Sequence, residues 1–461
     1  MRQTVSIHAV GAAAPSFRLA AADVAAAWGL RAGNGQVGVC APDEDVLTLS
    51  WLAVVRALAN AGRSSGEVDG LWWGTTRLPL AEGPSLAILG AALRLRSDVG
   101  GAVMSGSAHA GMEALTGAWH AVAAGTTELA VAVAADALVP GLGTAWESRA
   151  GAGAVAYVLT AADGPAALVS MTQRSKPVLD RYRGDGEDST RDVYDARLFR
   201  EDVFLPMLTD VASATGDADF WSLPDPDGRL GAVLARRLGV DASPSVSAYA
   251  EVGDAGAAAA LLGLRRALGS AGRAAVVGYG GGRATGIAIE VSETVPGWCD
   301  ELDRGVPVSY PEALRARRQL VASGEPVPMG VPPAGGAFVR GGLEMLALLG
   351  GRCVECGTVN VPPSVHPACI GCGADKFEIC ELERTGTVHT FSVNHSMPAP
   401  FVAPLPLVIV DLEDGARVQF QGLPEDASSL AVGDRVELVL RRYALERGVP
   451  VYGYKVRRIA S

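Results

Sequence analysis

The spacing of apolar residues divides this chain into a long α/β stretch and a shorter β-rich one. In the first, Leu49, Leu52, Val55 and Leu58 recur at near-helical spacing and predict a helix with one buried face, led by Glu44-Asp45. It leads to a strand over 70–73. A second helix is expected over 111–124, followed by an apolar strand over 129–134. The same order returns: a helix led by Glu201-Asp202, a strand over 219–221, a helix opening at Gly256, a strand over 274–277, then Gly278-Tyr279-Gly280-Gly281-Gly282. Strands that read as unbroken apolar runs are buried on both faces. The repeat therefore implies two β/α halves, about 1–165 and 166–295, in a layered α/β architecture. Near the C-terminus the pattern changes to short β runs over 386–393, 405–412, 417–421, 434–441 and 451–456. Turn signals such as Glu413-Asp414-Gly415 and Gly433-Asp434 separate them. Such a set suits a small barrel of the OB-fold type.

Between the two stretches, Arg352 to Gly373 reads RCVECGTVNVPPSVHPACIGCG. Cys353, Cys356, Cys369 and Cys372 form two C-x-x-C pairs, and a glycine follows each second cysteine (Gly357, Gly373). This is the spacing of a zinc knuckle pair. Four thiolates close a tetrahedron and leave no position for water, so the site is structural. His366 is read as a loop residue and Cys380 as part of the core. Cys40 and Cys299 carry no motif.

Composition narrows the function classes. Hydrophobic residues make up 49% and charged residues 19% of 461, with a formal net charge of -11. Phosphate neutralisation needs a basic surface, and the barrel lacks stacking aromatics, so nucleic acid is not an expected partner. No secretory leader is read at the N-terminus and the apolar runs are short for a bilayer, so no membrane partner is expected and the location expected is cytoplasmic.

The order C-x-x-C-G, Pro362-Pro363, C-x-x-C-G, Gly386-Thr387-Val388 and Phe391-Ser392-Val393 closely resembles the DUF35 family, which pairs a rubredoxin-like zinc ribbon with an OB-fold. The match covers about 335–460. The larger stretch resembles the thiolase superfamily, within it the 3-hydroxy-3-methylglutaryl-CoA synthase and ketoacyl synthase III branch. The residues that carry the likeness are Pro42-Asp43-Glu44-Asp45, Gly74-Thr75, Ala110-Gly111-Met112-Glu113-Ala114-Leu115, Pro226-Asp227-Gly228-Arg229, Gly253-Asp254-Ala255-Gly256-Ala257 and the 278–282 glycine run. The domains expected are a thiolase-like domain over 1–295, a linker over 296–337, a zinc ribbon over 338–382 and an OB-fold over 383–461.

The resemblance also says where catalytic residues belong. Such enzymes carry a cysteine at a helix start, where the dipole favours the thiolate. That position is Ala108 here, and a methyl group forms no thioester. The family histidine falls on Pro224, the glutamate on Thr76 and the asparagine on Asp254. His109 and Asp254 occupy equivalent places in the two halves and are the candidate acid/base pair. Ser107 and the backbone of Gly280, Gly281 and Gly282 are the candidate substrate contacts, the glycines as an oxyanion hole. Ser105, Ser222 and Tyr279 are weaker candidates.

The function expected is action on a CoA or carrier-protein thioester without the cysteine, by carbon–carbon bond chemistry or acyl transfer. The alternative is a catalytically silent acyl-CoA-binding scaffold for a partner thiolase. The resemblance further implies a homodimer.

Overall fold

Asp45 starts the helix that the leucine spacing predicts. Its Oδ1 accepts the backbone N–H groups of Leu47 and Thr48 at 3.0 and 3.1 Å, while Thr48 Oγ1 accepts the Asp45 N–H. The helix, Val46–Ala61, ends on Gly62 in the left-handed region. Leu49, Leu52 and Leu58 are buried, whereas Val55 is half-buried and Val54 takes the fully buried place beside it.

This computed structural model describes residues 3–30, 35–192, 196–240, 247–300, 302–321, 341–397, 403–446 and 448–459. The chain falls into two units, Met1–Gly90 with Leu95–Val321, and Ala91–Arg94 with Ala322–Ser461.

In the first unit, nine strands among the described residues form one sheet. Their order across it is Gly100–Met104, Gly70–Gly74, Leu129–Ala137, Ala152–Thr160, Val5–Ala13, Ala166–Ser175, Arg283–Val291, Gly272–Gly280, Phe220–Ser222. The internal repeat is visible in that order. Gly70–Gly74 runs parallel to Leu129–Ala137, which is antiparallel to Ala152–Thr160 and through it to Val5–Ala13. Reading inward from the other edge, Phe220–Ser222, Gly272–Gly280, Arg283–Val291 and Ala166–Ser175 repeat the same senses. Val5–Ala13 and Ala166–Ser175 meet antiparallel at the pseudo-twofold.

The helix Ala110–Ala123 and the helical segment from Gly256 to Ala267 pack between these halves through Met112, Leu115, Ala258, Leu261 and Leu262. Their starts touch at the backbone. A Cβ on Gly111 would lie 2.0 Å from the Ala257 carbonyl oxygen, so only glycine fits there.

Two expectations change. The helix expected to start at Glu201-Asp202 is already helical at Ala196–Phe199. It passes through a wide turn at Arg200–Phe204 into Leu205–Thr215, so the acidic pair lies inside the segment and does not cap it. Part of the expected linker is built into the first unit. Val306–Val308 pairs in parallel with Phe17–Ala20, and the helix Tyr310–Ala316 buries Ala313 and Ala316 beside Leu19 and Val24. The remainder of that segment, 322–337, and the first residues of the expected ribbon lie outside the described residues.

In the second unit, Leu349–Cys353 pairs with both Val359–Asn360 and Phe377–Glu381 to make the ribbon sheet. Thr385–Asn394, Leu405–Leu412, Arg417–Gly422, Val449–Arg458 and Arg435–Glu446 follow one another around a closed barrel. Each of the five β runs read from the sequence becomes one of its strands.

Candidate functional site

The first site residues lie where the helix Ala110–Ala123 begins. His109 precedes it with helical backbone angles and is 1% exposed. Ser107 Oγ accepts the His109 N–H at 3.2 Å. The glycine run lies directly against this turn. A Cβ on Gly280 would sit 2.4 Å from the His109 nitrogen and 2.8 Å from the Ala108 backbone, and one on Gly281 would meet Ser107. The structure thus brings Ser107, Ala108, His109 and the loop of Gly280–Gly282 together.

The His109 ring has partners that the sequence reading did not foresee. Nε2 lies 2.8 Å from Thr285 Oγ1, and Nδ1 faces Glu113 Oε1 at 3.4 Å, long for a strong hydrogen bond. Glu113 is also ion-paired with Arg283. The contact with His109, joined by the Arg283 charge, holds the Glu113 carboxyl below the usual carboxylate range.

Asp254 has a separate set of partners, and no hydrogen bond joins it to His109. Its Oδ2 accepts Arg181 Nη1 at 2.7 Å and Trp146 Nε1 at 3.2 Å, while Oδ1 accepts the Gly256 N–H at 3.0 Å. The Arg181 guanidinium stacks 4.1 Å above the Trp146 ring. The preceding residue, Asp180, accepts the Gly281 N–H at 3.0 Å, and burial raises its carboxyl pKa. Asp180-Arg181 therefore spans from the glycine loop to Asp254 and links the two candidate half-sites.

Pro224 follows the strand Phe220–Ser222 and is half-buried. Its neighbour Asp225 accepts the Gly231 N–H and the Ser247 hydroxyl at 3.2 and 2.9 Å. With Tyr249, Gly253 and Ala255, Asp225 lines a cavity of about 10 Å³, room for one water. Ser222 donates to the Ala260 carbonyl and is used up structurally.

Thr76, at the family glutamate position, bonds to a carboxylate from another strand. Asp136 Oδ1 accepts Thr75 Oγ1, the Thr76 N–H and Thr76 Oγ1 at 3.0, 2.9 and 2.8 Å, and its Oδ2 accepts the Ala257 N–H at 2.7 Å. Burial pushes its pKa up to about 6 against the pull of these bonds. One sequence signal pointed to it: an aspartate near the end of an apolar strand must find donors or stay neutral.

In the ribbon, the Sγ atoms of Cys353, Cys356, Cys369 and Cys372 lie within 4.8 Å of one another. Two of the distances, Cys353 to Cys372 and Cys356 to Cys369, are 3.6 Å. A tetrahedral zinc at about 2.3 Å from each sulfur needs edges of about 3.8 Å, so this donor set fits the metal. Both knuckles close alike. The N–H of Gly357 donates to the Cys353 carbonyl and that of Gly373 to the Cys369 carbonyl, with both glycines at positive φ. His366 faces the Val361 carbonyl and stands outside the sulfur cluster. Cys380, expected in the core, is half-buried on the ribbon strand.

A duplicated sheet with two helix starts meeting at its centre defines a thiolase-like fold. A solved structure titled MvaS in complex with 3-hydroxy-3-methylglutaryl coenzyme A superposes with a TM-score of 0.58 at 19% identity, over 72% of this chain and 95% of that one. The hydroxymethylglutaryl-CoA synthase of Methanococcus maripaludis is 32% identical over 164 residues, 34% of this chain and 47% of that enzyme. The chain thus spans about half the length of this relative. The ribbon matches the ChsH2 rubredoxin-like zinc ribbon domain over residues 343–378, and the barrel matches the ChsH2 C-terminal OB-fold domain over 380–441. A DUF35 domain-containing scaffold protein of Methanocaldococcus jannaschii is 37% identical over 123 residues, 26% of this chain and 86% of that protein. Through this C-terminal region the chain belongs to the DUF35 family.

Proposed function

We propose that the first unit binds an acyl-coenzyme A, or an acyl group on a carrier protein, and acts on the thioester without a covalent acyl-enzyme. The reaction class is carbon–carbon bond chemistry or direct acyl transfer. The observation that carries this reading is Ala108 at the helix start, packed on the glycine loop, with a buried histidine next to it. The resembled enzymes place their nucleophile there, and a methyl group forms no thioester. What the site retains is a buried imidazole and a loop of backbone N–H groups.

In this reading His109 is the acid/base group. Glu113 is the carboxylate that faces its ring, the part first given to Asp254. Asp254 acts through Arg181. The Gly280–Gly282 loop directs N–H groups at the thioester oxygen. Because Asp180 holds the Gly281 N–H, an oxygen that binds that amide takes the place of the Asp180 carboxylate. The four-thiolate zinc is structural and supplies no chemistry. A cytoplasmic homodimer completes the reading. The related solved structure, captured with 3-hydroxy-3-methylglutaryl coenzyme A, supports the choice of ligand.

A second reading has its own support, since the Methanocaldococcus relative is named a scaffold protein. Here the first unit holds the acyl-CoA and a partner thiolase does the chemistry.

The test uses the full chain with acetyl-CoA and a panel of acceptors. Turnover that His109→Ala lowers by about 10²–10⁴-fold, with thioester binding retained, supports the enzyme. Binding without turnover across the panel supports the scaffold. Absence of binding to both CoA thioesters and acyl-carrier protein rejects both.

A further inference from the structure

The residue that departs most informatively from the resembled site is Asp254. An aspartate there adds a charge 4% exposed, and a buried carboxylate needs a partner. Arg181 provides it, but the partner is held more firmly than neutralisation requires. Its Nη1 donates to Asp254 Oδ2, its guanidinium plane lies 4.1 Å over Trp146, and Trp146 Nε1 donates to the same Asp254 oxygen. One residue earlier, Asp180 accepts the Gly281 N–H in the unliganded chain, which places Arg181 beside the glycine loop. The guanidinium is thus fixed on one edge and one face, while its side chain remains 23% exposed and Asp254 is its one hydrogen-bonded acceptor among the described residues. A planar fork with its orientation already set by a carboxylate and a ring loses little freedom when it takes a second carboxylate.

We infer that Arg181 is a specificity residue that receives a carboxylate at the far end of the acyl chain, so that the preferred ligands are thioesters of dicarboxylic acids. This rests on the proposed thioester site, because only the position of Asp180-Arg181 between the glycine loop and Asp254 makes Arg181 a neighbour of the acyl group. Asp254 and Trp146 are then positioning residues that act through Arg181.

The test is equilibrium binding by calorimetry on the full chain. Succinyl-CoA and glutaryl-CoA are compared with butyryl-CoA and valeryl-CoA, which match them in carbon number, and with free CoA. The expected result is a preference of about tenfold or more for the dicarboxylic member of each pair, the yield of one charge-assisted contact. In Arg181→Lys that ratio falls, and in the double variant Arg181→Gln/Asp254→Asn, which leaves no lone buried charge, it approaches one. Equal affinities within each pair in the wild type overturn the inference and leave the thioester site standing. An equal loss of affinity for free CoA and every thioester in Arg181→Lys also overturns it, by assigning Arg181 to the CoA phosphates. If no CoA compound binds, the site itself is wrong and the inference falls with it.

Discussion

His109 Nε2 lies 2.8 Å from Thr285 Oγ1, a bond from the helix start of one half of the first unit to a strand of the other. Both groups are buried; Thr285 Oγ1 also accepts Gln173 Nε2 at 3.4 Å, whereas His109 Nε2 has the hydroxyl as its partner. Thr285→Val keeps the shape and removes the hydroxyl. We expect a loss of about 1–3 kcal/mol in denaturant unfolding, the cost of a buried polar atom left without a bond. A change within a few tenths of a kcal/mol would show that the ring is satisfied in another way.

Gly280 carries the approach of the glycine loop to the helix start. The atoms its Cβ would meet, at 2.4 and 2.8 Å, are backbone, which cannot rotate aside. Gly280→Ala should therefore destabilise the chain by about 1–3 kcal/mol and weaken CoA-thioester binding, whereas an alanine at the exposed Gly125 should leave binding alone. Equal binding by the wild type and Gly280→Ala would remove the loop from the site.

Asp136 predicts a pH dependence. Its carboxyl is raised from 3.8 to about 6 in the folded chain. Between those values the folded state binds a proton that the unfolded state has released. The stabilising contribution is therefore full below about pH 4 and is lost as pH rises through about 6, by up to about 3 kcal/mol. The stability gap between wild type and Asp136→Asn should narrow over that interval when urea midpoints are compared at matched pH. A gap that widens with rising pH would mean that the four donors win over burial.

The barrel was the most legible part of the chain, because each strand alternates over a short run and the turns are marked by glycine and aspartate. The ribbon was equally plain, since ligand spacing is local. The duplicated sheet could be read from the order of its apolar runs, but not its register or its meeting at Val5–Ala13 and Ala166–Ser175. The site was only half legible. Ser107, Ala108 and His109 announce themselves at a helix start. Arg181 lies in a segment without periodicity and acquires meaning only through Asp254, 73 residues away. Asp136 and Thr285 likewise depend on contacts across the sheet. The pairing of His109 with Asp254 was inferred from symmetry, and symmetry does not choose which carboxylate a ring faces.

The ribbon should depend on its metal. Cys353→Ala, or a strong chelator, is expected to unfold the ribbon while the first unit keeps its own cooperative transition. Metal analysis of the folded chain should return about one zinc per chain, as a single four-thiolate site requires. A stoichiometry far below one in fully folded protein contradicts the assignment.

The central claim is that the first unit handles a CoA thioester with no acyl-cysteine at Ala108. Intact-mass measurement after incubation with acetyl-CoA, alongside equilibrium binding, tests it most directly. We predict saturable binding, no acyl adduct on the wild type, and a new adduct on Ala108→Cys that maps to residue 108. An acyl adduct on the wild-type first unit, or no binding by either form, would contradict the account.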